Sequence, residues 1–249
     1  MRHLFGLSRR EAAHATSKDP GFYVGPRINA ADRMEDMTLG IQGLIADDDR
    51  PAEIAQALDA ISRERKETQK QMEQEAAALL GEAGELSAQA GLVLYRPEWH
   101  EGVIGLVVSR VKEKHWRPTL VLCDDQEGHL KGSDRSIAGL HLRDALDWVD
   151  RKLPGAMLKF GGHAMAAGLT LRKEALGAFR ETFAAVCADW LSPQALERRV
   201  LLDAPPAWRE IDFAAAFTIE SLVWSQGFEE PSLARPCRSC VRRSLRMRT

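Results

Sequence analysis

The sequence predicts an α/β protein, and three observations carry that reading. Short apolar runs alternate with helical periodicity between residues 86 and 192, which is the signature of strands packed under helices. After Pro51 no proline or glycine interrupts the chain until Gly81, and Ile54, Leu58 and Ile61 recur at helical spacing. Finally, 45% apolar and 28% charged residues in a chain of 249 suit a globular protein with a real core.

The elements follow in order. Residues 1–20 carry Arg2, Arg9, Arg10, His3, His14 and Lys18 with few apolar side chains, and are expected to be poorly ordered. Residues 21–85 form a segment dominated by the long helix. Between Ser62 and Glu75 that helix keeps Met72 as its one large apolar residue. A helix that is polar nearly all round bridges domains or lies exposed on one of them; at about 1.5 Å per residue, thirty residues reach roughly 45 Å, and the connector reading is preferred.

Residues 86–192 make the α/β domain. Strands are expected at Leu92–Tyr95, Thr119–Cys123, His129–Gly132, Ala156–Phe160 and Leu169–Leu171, and helices at 103–114, 140–149 and 174–191. Pro193, Pro205 and Pro206 interrupt the weakly patterned residues 193–234, a linker leading into something short. Residues 235–249 hold six arginines and no acid, a local charge of +6 that leaves −8 on residues 1–234; this tail is expected to be disordered.

The balance of 34 basic against 36 acidic side chains excludes a uniformly basic coat but allows a local basic groove. No apolar run approaches the length of a membrane span. The isolated Cys123 and Cys187, with no secretory signal, point to the cytoplasm.

Three constellations suit phosphate chemistry. Lys159–Gly168 contains Gly161 and Gly162 at a predicted sharp turn from which His163 projects; turn amides and His163 could hold a phosphate, and a plain glycine turn is the alternative. Lys131–Ser136 places two hydroxyls and two cations at the exit of a strand, where Ser133, Arg135 and Ser136 suit phosphate oxygens; a surface turn would look the same. In Gly25–Arg33, Pro26 stiffens a turn presenting Arg27 and Arg33, or else opens a helix. No HExxH pair, Walker loop or GxSxG elbow is present. Cys237 and Cys240 form a CxxC without a second ligand pair, which argues against zinc.

Together these segments resemble the RecJ family of single-strand-specific DNA exonucleases in the DHH phosphoesterase superfamily. Gly25–Arg33 resembles the signature GPRINAAGR, departing at Asp32. Trp99–Gly105 resembles WHxGVxG, Lys131–Ser136 resembles KGSxRS, Phe160–Gly168 resembles GGHxxAxG, and Trp224–Pro231 resembles WGQGFPEP. The resemblance implies a DHH-associated lobe with a mixed sheet, preceded by a long connector helix, and a domain similar to an oligonucleotide-binding barrel beginning near residue 193. It implies a 5′-to-3′ exonuclease of DNA repair and recombination. Its catalytic group on this chain would be His163, and its substrate-binding residues Arg27, Arg33, Arg110, Ser133, Arg135, Ser136, Gly161 and Gly162. Single-stranded DNA is the implied partner, with a single-strand-binding protein or a helicase as further partners. Manganese or magnesium would serve the complete enzyme. None is expected on this chain, because the DHH triplet and its aspartates have no counterpart here; a truncated or frame-shifted gene product would account for that and for the arginine-rich ending. Alternatives are a non-catalytic nucleic-acid-binding module, as similar lobes in alanyl-tRNA synthetases are, and a small-nucleotide phosphodiesterase of the same superfamily.

Overall fold

The computed structural model describes residues 2–8, 13, 15–16, 18–45, 51–82, 89–199, 203, 207–222 and 231–232. The readings placed on the CxxC, on the arginine-rich tail and on most of Trp224–Pro231 lie outside these residues. The chain divides into two compact units, Met1–Arg198 and Arg199–Thr249.

The first unit opens with α1 (Arg2–Leu7), one wide turn at Pro20–Val24 running straight into α2 (Gly25–Met34), then α3 (Met37–Ile45). Two expectations are corrected here. Residues 2–7 form a helix that buries Leu4 and Phe5 against Val24, Ala31 and Leu58, enough apolar surface to order it. Gly25–Arg33 is no turn: Pro26 sits in the first turn of α2, where its missing N–H costs nothing.

Helix α4 (Pro51–Glu82) has 32 residues and belongs to two cores. Its first half contributes Ile54, Ala55 and Leu58 to the α1–α2 cluster; its last turns contribute Met72, Ala76 and Leu80 to the underside of the sheet. The polar stretch lies between, with Arg63, Glu64, Lys66, Glu67 and Lys70 exposed.

The sheet has five strands: β1 (Leu92–Tyr95), β2 (Thr119–Asp124), β3 (Leu130–Arg135), β4 (Met157–Gly162) and β5 (Ala166–Leu171), in the order β1-β2-β3-β5-β4. The first two are parallel, joined by α5 (Glu101–His115), and the rest antiparallel, so the sheet is mixed. His100 caps α5, its Nδ1 accepting from Gly102 N–H at 3.1 Å. Alternate residues of each strand face opposite ways. One face packs Val93, Leu120, Leu122, Leu130, Leu169 and Leu171 under α6 (Leu142–Lys152) and α7 (Leu176–Trp190). The other packs Leu92, Leu94, Val121 and Cys123 under α5 and the end of α4. The second unit contains, among its described residues, α8 (Phe213–Ser221), capped by Asp212.

Strand β3 runs further than its pattern suggested, through Arg135, so Lys131–Arg135 is a ladder strand paired on both sides and not a turn at a strand exit. The glycine pair is corrected too. Gly161 and Gly162 end β4 opposite Gly168 and Ala167, and the turn itself is His163–Met165. Gly162 has φ +148°, and a Cβ there would sit 2.4 Å from the Ala166 carbonyl oxygen, so only glycine fits.

Candidate nucleic-acid interface

Helix α5 covers β1, β2 and the near side of β3, and the β3-β5-β4 half of the same face carries no helix among the described residues. Pairing register arranges that open half in three rows. Arg135 stands beside Ala166, whose carbonyl oxygen holds the N–H of His163 just past the end of β4, Ser133 beside Gly168 and Gly161, and Lys131 beside Thr170 and Lys159. All nine are wholly or partly exposed. The floor of the middle row is backbone, and the row of Lys131, Thr170 and Lys159 borders a cleft of about 240 Å³.

At the α5 margin three of the sequence motifs meet. The α2 and α5 backbones approach so closely that a Cβ on Gly102 would lie 1.8 Å from the Arg33 carbonyl oxygen, and Arg33 Nη1 donates to Gly102 O at 3.2 Å. Gly105, one turn along α5, leaves room for the two arginines: a Cβ there would be 3.5 Å from Ser133 Oγ and 3.9 Å from a guanidinium nitrogen of both Arg33 and Arg135. Arg135 Nη1 donates to Ser133 Oγ at 3.3 Å and to the Asp134 carbonyl oxygen at 2.7 Å. Arg65 of α4 is the third guanidinium of this group, donating to Gln69 Oε1. Partial burial lowers the proton affinity of Arg135 and Arg65; for Arg135 the neighbouring Asp134 opposes this, and Arg33 lowers both further. Among the described residues none of the three arginines has a carboxylate within ion-pair distance. Part-buried guanidiniums with no carboxylate partner, two of them flanking a hydroxyl, are groups that can hold an anion.

The sequence-predicted residues therefore separate. Arg33, Ser133, Arg135, Gly161 and His163 share the open face or its margin, whereas Gly162, paired with the core residue Ala167, belongs to the opposite face. His163 is exposed at the β4–β5 turn, its N–H held by Ala166 O at 2.8 Å, two strands or about 10 Å from β3. Arg27 does not belong: its Nε donates to Asp59 Oδ1 at 2.8 Å, and its Nη1 to Ser8 Oγ and Tyr23 O, pinning α2 to α4. Ser136 is buried and its Oγ donates to Leu140 O at 2.8 Å, closing the loop before α6. Arg110 lies across α5, paired with Glu113 at 3.3 Å, over a separate cleft shared with Lys70 and Lys114. Sequence reasoning missed Arg65, hidden among the charges of α4, and left Lys159 and Thr170 unassigned; their signal was register, which appears only once β4 and β5 are paired.

Among the described residues the open face holds cations and hydroxyls and offers no converging carboxylates, so it does not fit a divalent metal. Among the described residues the one group of three potential ligands is Asp125, Glu127 and His129 in the β2–β3 turn, at the far end of β3 from Arg135. There Asp125 Oδ1 is already taken by the Glu127 and His129 N–H groups.

The DHHA1 domain family matches residues 88–189, the sheet with its helices. Over 236 residues the chain is 43% identical to the single-stranded-DNA-specific exonuclease RecJ of Dickeya dadantii, covering 93% of this chain and 41% of that protein. The chain belongs to the RecJ family. The RecJ of Escherichia coli is 40% identical over 235 residues, again 41% of its length. The crystal structure of RecJ from Thermus thermophilus in complex with Mn²⁺ superposes with a TM-score of 0.71 at 27% identity, over 87% of this chain and 30% of that one. The chain thus spans about two fifths of the length of the Dickeya and Escherichia RecJ proteins, and the mixed α/β sheet described above is shared with RecJ structures solved with Mn²⁺ or Mg²⁺.

Proposed function

We propose that this chain is the strand-gripping part of a RecJ-like 5′-to-3′ single-stranded-DNA exonuclease acting in repair and recombination. The observation that carries the reading is the convergence of Arg33, Ser133 and Arg135, from two motifs far apart in the sequence, on one open face with no carboxylate within ion-pair distance among the described residues. Guanidiniums and hydroxyls bind phosphate oxygens without reading bases, so the grip is independent of sequence. His163, across the glycine floor, contributes a further hydrogen bond to a phosphate. The metal chemistry of such an exonuclease is not assigned to the described residues, and no hydrolytic step is routed through them. We place the protein in the cytoplasm, on two buried free thiols, Cys123 and Cys187; burial pushes the Cys123 thiol up to about 12 and so keeps it unreactive. Single-strand-binding proteins or helicases would meet it on the same DNA.

Fluorescence anisotropy with poly-dT and mixed-sequence single strands tests the reading. Equal affinity for both, with Arg135→Ala shallower in its salt dependence by about 0.7, is expected. A wild-type chain that binds neither, or an Arg135→Ala protein that binds both unchanged, overturns it.

A further inference from the structure

We infer that Lys131 and Lys159, standing either side of Thr170, form a second phosphate seat, so that a single strand runs lengthwise along β3 and β5 and is held at alternate phosphates. The inference rests on the reading of the face as a DNA grip and adds the path and the seat.

Register supplies the geometry. Lys131 pairs with Thr170 and Thr170 with Lys159, which puts two ammonium groups and a hydroxyl in one row across three strands. That row is two residues along from Ser133, Gly168 and Gly161, and four along from Arg135. Two residues of antiparallel strand advance about 6.8 Å, close to the distance between neighbouring phosphates of an extended single strand. The rows thus keep step with the phosphates, and the two cationic rows, four residues apart, meet alternate ones. The intervening row is almost bare: Gly161 and Gly168 present backbone only, and a Cβ on Gly161 would meet nothing within 4 Å. Such a floor lets a sugar–phosphate chain lie against the sheet between the two cationic rows.

The charges are arranged for capture. Lys159 is exposed on the edge strand and has no ion-pair partner among the described residues. Lys131 is 3.6 Å from Glu101 Oε1, with both side chains about half exposed. An ion pair so exposed is weak and yields readily to a phosphate. Glu101 is therefore a competitor for the seat, and its removal has the opposite sign to removal of either lysine.

The experiment uses the full chain and 5′-phosphorylated thymidine oligonucleotides of one to six residues, titrated across a salt series. Lys159→Ala is expected to leave the one-residue ligand unchanged and to weaken the longer ones, with a salt slope shallower by about 0.7. Glu101→Gln is expected to tighten the longer ligands and to steepen their slope. Gly161→Val, whose side chain points into open cleft, should keep the melting temperature and lose the longer ligands. Lys114→Ala, on the far side of α5, reports on charge alone and should leave all lengths unchanged. If the longer oligonucleotides bind wild type and Lys159→Ala equally, or if Lys114→Ala weakens them as much, the seat is refuted while the arginine grip stands. Failure of every length to bind wild type refutes both.

Discussion

Asp134 gives the sharpest test of the described packing. It sits one residue before the end of β3, fully buried on the core face between Leu120 of β2 and Ala167 of β5, and neither carboxyl oxygen has a hydrogen-bond partner among the described residues. Burial holds this carboxyl well above the ordinary carboxylate range, and the opposing pull of Arg135, on the other face, is the smaller effect. The folded protein therefore keeps a proton that the unfolded chain releases near 3.8. The stability Asp134 allows is complete below that value and falls as pH rises toward the raised native one, by about 1.4 kcal/mol for each pH unit in that interval. For a chain of this size 1 kcal/mol moves the melting temperature by about 2 to 4 °C, so each unit should cost about 3 to 6 °C. Asp134→Asn keeps the shape and removes the ionisation. Scanning calorimetry of both proteins from pH 4 to pH 8 should show melting temperatures that agree at the acid end and diverge upward, with the asparagine protein the more stable. Asp134→Ala should gain more, since it also removes an unsatisfied buried group that costs about 1–3 kcal/mol. A difference between wild type and the Asp134→Asn protein that stays constant across the range would refute the reasoning.

Gly102→Ala would drive a methyl into the Arg33 carbonyl and force α2 away from α5; a loss of about 1–3 kcal/mol in chemical denaturation is expected, with weakened DNA binding because Arg33 moves with its backbone. Arg27→Ala should lower stability by breaking a part-buried ion pair yet leave the salt slope of DNA binding unchanged, whereas Arg33→Ala should lower the slope by about 0.7; anisotropy and thermal melts on the same samples separate the two. Arg110→Ala should alter neither, given its exposed pairing with Glu113 on the far side of α5. The purified chain should bind no Mn²⁺ in titration calorimetry and release no nucleotide from single strands; metal-dependent 5′ digestion by this chain alone would contradict the assignment of its described face to binding.

Period and punctuation made most of the fold legible. Leu92–Tyr95 and the run from Thr119 are uniformly apolar because both faces of those strands are covered, and the helix after Pro51 announces itself by uninterrupted length. Strand β3 was harder. Its sequence Leu-Lys-Gly-Ser-Asp-Arg reads as a turn because a glycine and an aspartate occupy positions that face the core; Gly132 is there because a Cβ would collide with Leu122 and Leu120, within 2.8 and 3.0 Å. The motifs named Arg33, Ser133, Arg135 and His163 for the face. They could not separate these from Arg27 and Ser136, which differ only in having found partners elsewhere in the fold. Arg65 and Lys159 needed tertiary pairing to be seen at all.

The alternation along β3 makes its six residues a two-sided text. Leu130, Gly132 and Asp134 are read by the hydrophobic interior, and Lys131, Ser133 and Arg135 by the solvent-side groove. One residue inserted into the Asp125–His129 loop lengthens a surface bend, a change that such loops absorb. The same insertion between Leu130 and Arg135 turns every residue on one side of it to the opposite face, carrying either Arg135 into the apolar layer or Leu130 out to water. Evolutionary drift in length is therefore open to this chain at the loop and closed a few residues later, where a frame of one residue decides at once whether the protein folds and whether it holds a strand.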